Sequence, residues 1–146
     1  MADIATNRPA SYRYHLMDKW EAGMVLTGTE VKSLREGKAQ LKDGYAAVQN
    51  GEVWLYNVHI PPYVPATRDS HEPERPRKLL MHRREIERLI GKQKEKGLTL
   101  VPTRLYFKGR HAKVEIALGQ GKDRHDKRHA IKERELKREM ERSFRR

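Results

Sequence analysis

The feature closest to a chemical motif is the segment Gly119-Gln120-Gly121-Lys122, which follows an apolar strand pattern and precedes a helical one. A P-loop that holds nucleotide phosphates has two glycines with four residues between them, then Lys and Ser or Thr. Here the glycines are closer together and Asp123 follows the lysine. We therefore expect the glycines to form a hinge between a folded domain and a C-terminal tail, not a nucleotide site.

Histidines are the other candidates for chemistry. His125 and His129 have the i,i+4 spacing at which two imidazoles on one helix reach the same metal ion, but the surrounding cations oppose metal binding. The chain has no cysteine, which excludes disulfides, thiolate zinc sites and thiol nucleophiles. The other histidines, which show no triad-like spacing, are His15, His59, His71, His82 and His111. The sequence thus predicts no enzyme: no catalytic residue, no metal site and no cofactor.

Charge is the strongest signal in the composition. Lys and Arg total 32 against 20 Asp and Glu, so the formal net charge is +12 and the isoelectric point about 10.1. Such a surplus is typical of proteins that bind a polyanion, because each neutralised phosphate releases counterions. A membrane surface is the alternative, but there is no lipidation motif and no apolar run near the roughly 20 residues that cross a bilayer. Without a signal-peptide pattern, we expect a cytoplasmic protein with a nucleic-acid partner and no membrane contact.

Two basic clusters are candidates for holding that partner. Arg75-Pro76-Arg77-Lys78 and His82-Arg83-Arg84 bracket the apolar pair Leu79-Leu80. Cations beside a short apolar step suit a site that binds phosphates and packs against a sugar or base; the alternative is a strand with ordinary solvated flanks. Glu21, an acid in a basic stretch, is either a surface charge or an acceptor for guanine amino groups or 2′-hydroxyls.

The elements that must position these residues are mostly strands. One candidate alternates in polarity with a period of two, and two others flank Asn50-Gly51, a hairpin signal because both turn positions require positive φ. A further pair flanks Gly109 and predicts a second hairpin. The expected strands cover residues 12–17, 45–48, 53–58, 100–107 and 112–118.

Two helices interrupt these strands. Residues 29–35 follow Thr27-Gly28 with the Ser/Thr-x-x-Glu spacing of a capping box, and residues 83–96 form a longer amphipathic pattern. The apolar face of the longer helix consists of Ile86, Leu89 and Ile90. Residues 61–76 contain five prolines and predict a long surface loop. This pattern predicts a mainly β fold, an OB-like antiparallel β-barrel with two to three packed helices and a basic C-terminal tail.

Three regions differ in pattern. Residues 1–11 are expected to be a flexible arm in which Arg8-Pro9 stops any early helix. Residues 12–118 are expected to form the RNA-binding barrel. Residues 119–146 contain 11 Lys or Arg and 6 Asp or Glu, and their apolar stripe is too narrow to offset the entropy of ordering. We expect this tail to be disordered alone and helical on a phosphate-lined surface; a salt-bridged helix docked on the barrel is the alternative.

Several blocks of the chain, taken together, resemble a known family. In order they are Glu21-Ala22-Gly23, residues 26–35, Asn50-Gly51-Glu52, residues 77–80, residues 96–102 and Asp126-Lys127-Arg128. In this order they resemble the SsrA-binding protein (small protein B) family. That resemblance implies an OB-like barrel that binds the tRNA-like domain of transfer-messenger RNA (tmRNA). It also implies delivery of tmRNA to stalled ribosomes for trans-translation, in which the nascent chain is tagged for degradation.

The resemblance also implies site residues and partners. The tmRNA contacts fall on Asn7, Glu21, Lys32, Arg77, Lys78 and Leu80. The decoding-centre segment falls on Gly121, Lys122, His125, Asp126, Lys127 and Arg128. The part that lines the mRNA channel includes Lys132, Arg134, Lys137 and Arg138. The partners implied are tmRNA and small-subunit ribosomal RNA, with elongation factor Tu and alanyl-tRNA synthetase engaged indirectly through tmRNA, and the chain is expected to act as a monomer.

Two departures from the family pattern weaken individual contacts. The residues after Asn7 are Arg8-Pro9-Ala10-Ser11-Tyr12, where the family has a more basic run, and Asp123 replaces a second lysine in the tail. Two other functions stay open on the residues alone. One is a permanent ribosomal or general RNA-binding protein, and the other is a nuclease that uses scattered His and Lys.

Overall fold

The computed structural model describes residues 3–63, 70–93 and 98–121. Within them the chain forms seven strands and three helices. The strands are β1 (Asp3–Thr6), β2 (Tyr14–Met24), β3 (Tyr45–Gln49), β4 (Glu52–Tyr56), β5 (Arg77–Leu80), β6 (Leu98–Lys108) and β7 (His111–Gly121). The helices are α1 (Arg8–Arg13), α2 (Gly28–Arg35) and α3 (Arg83–Gln93).

The strands form one antiparallel sheet that closes on itself. The sheet order is β1-β6-β3-β4-β5-β2-β7, and β6 also pairs with β7. Six strands therefore make a closed ring, while β1 pairs with the C-terminal half of β6. Closure matters because it leaves no long unpaired strand edge among the described residues to which a second chain could add. The mainly antiparallel β fold with about three helices is confirmed.

The core lies inside the ring, as the strand alternation requires. Val53 and Leu55 on β4 and Val114 and Ile116 on β7 are fully buried. Residues that alternate with them along the strands, such as Lys113 and Glu115, face outward. The polar outer positions of neighbouring strands therefore share one surface, which is the condition for a binding face.

The turn and cap signals are confirmed. Asn50 and Gly51 both have positive φ, 52° and 76°, between β3 and β4, and Gly109 has φ 63° between β6 and β7. The side chain of Thr27 accepts from the backbone of Glu30, and the Glu30 carboxylate accepts from the Thr27 backbone, which completes the capping box of α2.

The longer predicted helix is confirmed from Arg83 to Gln93, and residues 94–96 lie outside the described part of the chain. Leu89 is buried and Ile86 packs against the core, but Ile90 is exposed. The apolar face is thus one residue narrower than we predicted. The predicted loop has no helix or strand in its described parts, residues 61–63 and 70–76.

The expected flexible arm is wrong for residues 3–11. Residues 3–6 form β1, and α1 begins at Arg8, with Pro9 in its first turn. Proline is tolerated there because its missing N–H would have no partner in the helix. The strand predicted over residues 12–17 begins only at Tyr14, because residues 12–13 complete α1.

The expected hinge at the glycines is also wrong. β7 continues to Gly121, where Gly119 pairs with Leu16 and Gly121 with Tyr14. A Cβ on Gly119 would lie 2.9 Å from Cβ of Tyr14, so this glycine permits close packing of the tyrosine across the strand. The folded part of the chain therefore extends at least to residue 121.

Candidate nucleic-acid interface

Three neighbouring strands bring an acid, an exposed leucine and a lysine together. Gly23 on β2 pairs with Leu80 on β5 and with Lys113 on β7, two positions after Glu21. Their outer faces form a groove of about 300 Å³, which we call the Glu21 groove. Its lining residues are Glu21, Leu80, Met81, His82, Glu85 and Lys113. Sequence reasoning named Glu21, Leu80 and His82, and the fold makes them neighbours.

Leu80 is an exposed apolar side chain in a charged setting. It is 55% exposed, although its neighbour Leu79 on the same strand is buried in the core. The glycine opposite supports this position, because a Cβ at Gly23 would lie 3.4 Å from Cβ of Leu80. Leu80 therefore packs over bare backbone and presents its methyl groups outward, where a sugar or base could contact them.

Glu21 is held in place by two donors from β6. The Tyr106 hydroxyl donates to Oε2 of Glu21, and Lys108 Nζ lies 3.3 Å from Oε1. The tyrosine hydrogen bond, and secondarily Lys108, holds the pKa of Glu21 below its ordinary value of 4.5. Glu21 is therefore an ionised acceptor at neutral pH, and its half-exposed carboxylate keeps lone pairs free for a ligand.

Tyr106 provides a rigid support for this carboxylate. Its ring is buried, and the guanidinium of Arg104 lies 4.6 Å from the ring centroid. Arg104 is itself fixed by Asp3 Oδ1 at 3.2 Å and Glu115 Oε2 at 3.5 Å. Burial, and then the hydrogen bond to Glu21, raises the pKa of Tyr106 to about 12, so the hydroxyl remains a donor.

Two further predicted contacts face outward but do not line the Glu21 groove. Lys78 on β5 forms an ion pair with Glu52 at 3.2 Å, and both side chains are half-exposed. Lys32 on α2 places its ammonium 5.5 Å from the ring centroid of Tyr63. Exposed pairs of this kind contribute little to stability, so both lysines are free to exchange their partner for a phosphate.

Arg77 does not have the exposed position that we expected. The side chain is fully buried, and its Nε lies 2.5 Å from Oε2 of Glu30. The guanidinium also donates to the carbonyl oxygens of Val58 and, at 2.9 Å, Pro73. A buried guanidinium with these partners is a structural residue, so its expected role in direct RNA contact is corrected.

The buried pair is part of a network that joins α2, β5 and the loop before β5. Arg75 NH2 lies 2.5 Å from Oε1 of Glu30, which also accepts from the Thr27 backbone. Burial alone would raise the pKa of Glu30, but the hydrogen bonds of Arg75 and Thr27 and the charge of Arg77 lower it overall. This network fixes the strand that carries Lys78 and Leu80.

Asn7 lies apart from the Glu21 groove. It is 7% exposed, and its Nδ2 donates to the carbonyl oxygens of Leu41 at 3.2 Å and Pro102 at 2.8 Å. Its backbone N–H donates to Thr103. In this structure Asn7 anchors the start of α1 to the barrel, and its expected contact with tmRNA stays a prediction.

Most predicted ribosome-contacting residues lie outside the described part of the chain. Gly121 is described, as the last residue of β7. The others outside are Lys122, His125, Asp126, Lys127, Arg128, Lys132, Arg134, Lys137 and Arg138. Asp123 and His129 lie there as well. Their assignments stay predictions, whereas residues 119–121, which were expected to begin the tail, belong to β7.

Sequence reasoning missed Lys113, which lines the Glu21 groove, and Tyr106, which supports Glu21 from outside the groove. Lys113 had a usable signal, since it alternates with buried Val114 and had to face outward. Tyr106 had none, because its hydroxyl reaches Glu21 only through the pairing of β6, β7 and β2.

Other kinds of site receive no support from the part of the chain that the structure describes. There, no three His, Cys, Asp or Glu side chains lie together as metal ligands would. None of the helices described has the length and apolar character needed to cross a membrane.

Comparisons with known proteins identify the family of the chain. The family described as "SmpB protein" matches residues 4–146. The SsrA-binding protein of Thermobifida fusca is 62% identical over 143 residues, which cover 98% of this chain and 89% of the relative. The SsrA-binding protein of Carboxydothermus hydrogenoformans is 56% identical over 142 residues, 97% of this chain and 95% of the relative.

A solved structure is similar as well. It is described as "tmRNA-SmpB: a journey to the center of the bacterial ribosome", with 43% sequence identity and a TM-score of 0.73. The match covers 89% of this chain and 95% of that chain. The near full-length matches in sequence and in fold show that this chain belongs to the SmpB family of SsrA-binding proteins.

Proposed function

We propose that this chain binds the tRNA-like domain of tmRNA through the Glu21 groove and delivers tmRNA to stalled ribosomes for trans-translation. The observation that carries the proposal is the groove itself. It places an ionised acceptor, an exposed leucine and a lysine on three adjacent strands of a +12 protein. The relatives named SsrA-binding protein and the tmRNA-SmpB structure supply the identity of the RNA.

Each residue of the groove has a different role in RNA recognition. Lys113 in the groove, and Lys78 and Lys32 outside it, supply positive charge for phosphates. Such contacts give affinity without preference for a sequence or shape. Leu80 packs against a sugar or an unstacked base. Glu21 accepts from a 2′-hydroxyl or a base amino group, and it repels any RNA surface that presents only phosphate. An acid within a basic face thus favours one RNA shape over others.

The second part of the proposed function, contact with the ribosome, belongs to the tail. Residues 122–146 would enter the vacant decoding centre and the empty mRNA channel and become helical there. The segment 122–128 would contact the decoding centre, and its His125 ring could stack on a ribosomal base. Residues from 130 onward would follow the channel with alternating cations. This division makes the barrel the tmRNA holder and the tail the sensor of an mRNA-free ribosome.

The proposed role is non-catalytic and cytoplasmic. The chain acts as a monomer that holds RNA, and elongation factor Tu and alanyl-tRNA synthetase act on the tmRNA it carries. The absence of any cysteine from the sequence and the separate surroundings of the described histidines favour binding over chemistry.

Changing Glu21 to Gln is expected to weaken binding of the tRNA-like domain by at least about tenfold, the loss typical of a charged hydrogen bond. The change makes the protein more positive, so binding driven by charge alone would tighten. Glu74→Gln is the matched control, because it removes an exposed carboxylate outside the Glu21 groove. Filter retention with labelled tRNA-like domain measures both. Tighter binding by Glu21→Gln would contradict a specific role for this acid.

Changing Tyr106 to Phe is expected to weaken the same complex by about threefold to tenfold, because Glu21 loses one of its two orienting donors. The phenyl ring keeps its packing, so the fold should be unchanged. Without this donor the pKa of Glu21 should rise toward its ordinary value of 4.5, which carboxyl NMR resonances would report. Tyr56→Phe is the control, since it deletes a hydroxyl that donates only to Gln49. An unchanged pKa of Glu21 in Tyr106→Phe would exclude the positioning role.

A further inference from the structure

The N-terminal strand β1 lies against the part of β6 that supports Glu21. Asp3 on β1 pairs with Tyr106 on β6, and the register shifts directly after Asp3, as at a β-bulge. Bulges re-aim side chains, and here the Asp3 carboxylate lies 3.2 Å from NH1 of Arg104. Neither Asp3 nor Arg104 lines the Glu21 groove. Any effect of β1 on a ligand in the groove must therefore pass through other side chains.

Arg104 is the first link between β1 and Glu21. Its guanidinium lies 4.6 Å from the ring centroid of Tyr106, whose side chain is buried. A cation over an aromatic face is attracted by the electron density of the ring, so Arg104 restrains this ring. The same ring carries the hydroxyl that donates to Glu21. The position of Arg104 therefore influences the direction of that hydrogen bond.

Arg104 also takes up a charge that would otherwise repel Glu21. Glu115 on β7 pairs with Glu21 on one side and with Arg104 on the other. Like charges directly opposite on neighbouring strands are unfavourable. The Glu115 carboxylate is turned toward β6, where Oε2 lies 3.5 Å from Nε of Arg104 and accepts from the Thr103 hydroxyl at 2.6 Å. Glu21 therefore faces a neighbour whose charge is already neutralised.

We propose that Asp3 and Arg104 are positioning residues for RNA recognition, which fix the direction of Glu21 from outside the groove. Asp3 holds Arg104, which in turn restrains the Tyr106 ring. Arg104 also neutralises Glu115, and Glu21 keeps a single orientation as a result. This inference rests on the proposed function, because it deepens the role of the Glu21 groove. It gives β1, which belongs to the segment expected to be a flexible arm, a part in RNA specificity.

Changing Asp3 to Asn tests the inference with the full-length chain and the labelled tRNA-like domain. The variant is more positive by one charge, so binding driven by charge alone would tighten. Positioning predicts the opposite result. Affinity should fall about threefold, because Arg104 loses one of the two acids that hold it. The Asp3 side chain is 31% exposed, so thermal melting should be little changed.

The matched control is Asp43→Asn. It removes a carboxylate that is also paired with an arginine, Arg13, but lies outside the Glu21 groove. Affinity for the tRNA-like domain should stay within about twofold in this variant, as expected for one peripheral charge. An equal loss of affinity in Asp43→Asn and Asp3→Asn, or tighter binding by Asp3→Asn, would overturn the inference.

A double variant shows whether Asp3 acts through Arg104. In a chain that already carries Arg104→Gln, Asp3→Asn should change the affinity by less than about 1.5-fold, because the effects of residues that act through one another do not add. Losses that add in full would mean that the two residues act separately, and would overturn the proposed order of contacts.

The pKa of Glu21 separates positioning from general stability, and its measurement needs no RNA. Carboxyl NMR resonances should show this pKa rising toward 4.5 in Arg104→Gln and, by less, in Asp3→Asn, because the Tyr106 hydrogen bond that lowers it is no longer held in place. Asp43→Asn should leave it unchanged. An unchanged pKa in Arg104→Gln would overturn the positioning role. A raised pKa there, together with unchanged RNA affinity in Glu21→Gln, would support positioning and overturn the proposed function instead.

Discussion

Changing Arg77 to Met is expected to lower the free energy of unfolding by about 3–5 kcal/mol, the usual cost of removing one partner of a buried ion pair. Glu30 would keep its charge in the core with only Arg75 opposite it, and the carbonyls of Val58 and Pro73 would lose their donors. This is a large fraction of the roughly 5–15 kcal/mol that stabilises a domain. Urea unfolding followed by circular dichroism measures the loss.

The matched control is Lys78→Met on the same strand. Its ion pair with Glu52 is half-exposed, so the stability cost should be at most about 1 kcal/mol. RNA affinity should fall in this variant because a surface cation is lost. If Arg77→Met kept its stability and lost RNA binding instead, the buried structural role of Arg77 would be wrong.

The ion pair between Arg77 and Glu30 should also make stability depend on pH. The folded pKa of Glu30 is lowered, so its contribution to stability is complete above the ordinary value of 4.5 and is lost as the pH falls through the folded value. Arg77→Met removes the charge that helps to lower this pKa. Acid unfolding of the variant should therefore begin at a higher pH than that of the unchanged protein, as circular dichroism at stepwise lower pH would show.

Removing residues 122–146 is expected to abolish tagging on stalled ribosomes and to leave affinity for the tRNA-like domain within about threefold. The cut falls directly after β7, so every described strand and the Glu21 groove remain. The removed segment carries 11 of the 32 Lys and Arg residues but also 6 acids, so most of the net charge stays. The small loss expected reflects that missing charge. A reconstituted translation system with an mRNA that lacks a stop codon measures tagging.

A variant with a scrambled tail tests whether tagging depends on the order of the tail residues or only on their net charge. A chain with the composition of residues 122–146 in scrambled order keeps the net charge and should still fail to support tagging. Tagging restored by that chain would contradict the specific roles proposed for residues 122–128. Loss of tRNA-like-domain binding in the truncated chain would contradict the division between barrel and tail.

Local sequence signals predicted the helices and strands well where the deciding contacts are between residues close together in the chain. Asn50-Gly51 required positive φ at two positions, and Thr27 and Glu30 satisfy each other within one helical turn, so both elements could be located from a few residues. Pro9 was misjudged because a proline stops a helix in its interior but begins one readily. The folding of this segment depends on contacts distant in the chain: the pairing of β1 with β6, the hydrogen bonds of Asn7 and the burial of Ala10.

The candidate site was only partly predictable, because it is formed by strands that are distant from one another in the sequence. Glu21 and Leu80 were identified, but the direct pairing of their strands joins positions more than 50 residues apart in the chain. Arg77 and Lys78 look equivalent in the sequence, and strand alternation puts one inside and the other outside. A charged side chain is rarely expected in the core. The sequence did not indicate that Glu30 on α2 would form an ion pair with Arg77 there.

The central claim is that the barrel recognises the shape of one RNA. Its most direct test is binding of the tRNA-like domain of tmRNA and of ordinary tRNA by filter retention, over a range of salt concentrations around the physiological value. We expect the tRNA-like domain to bind at least about tenfold more tightly at physiological salt, with a preference that persists as salt rises. Equal affinities that fall steeply together would mean that charge alone drives binding, and would contradict the account.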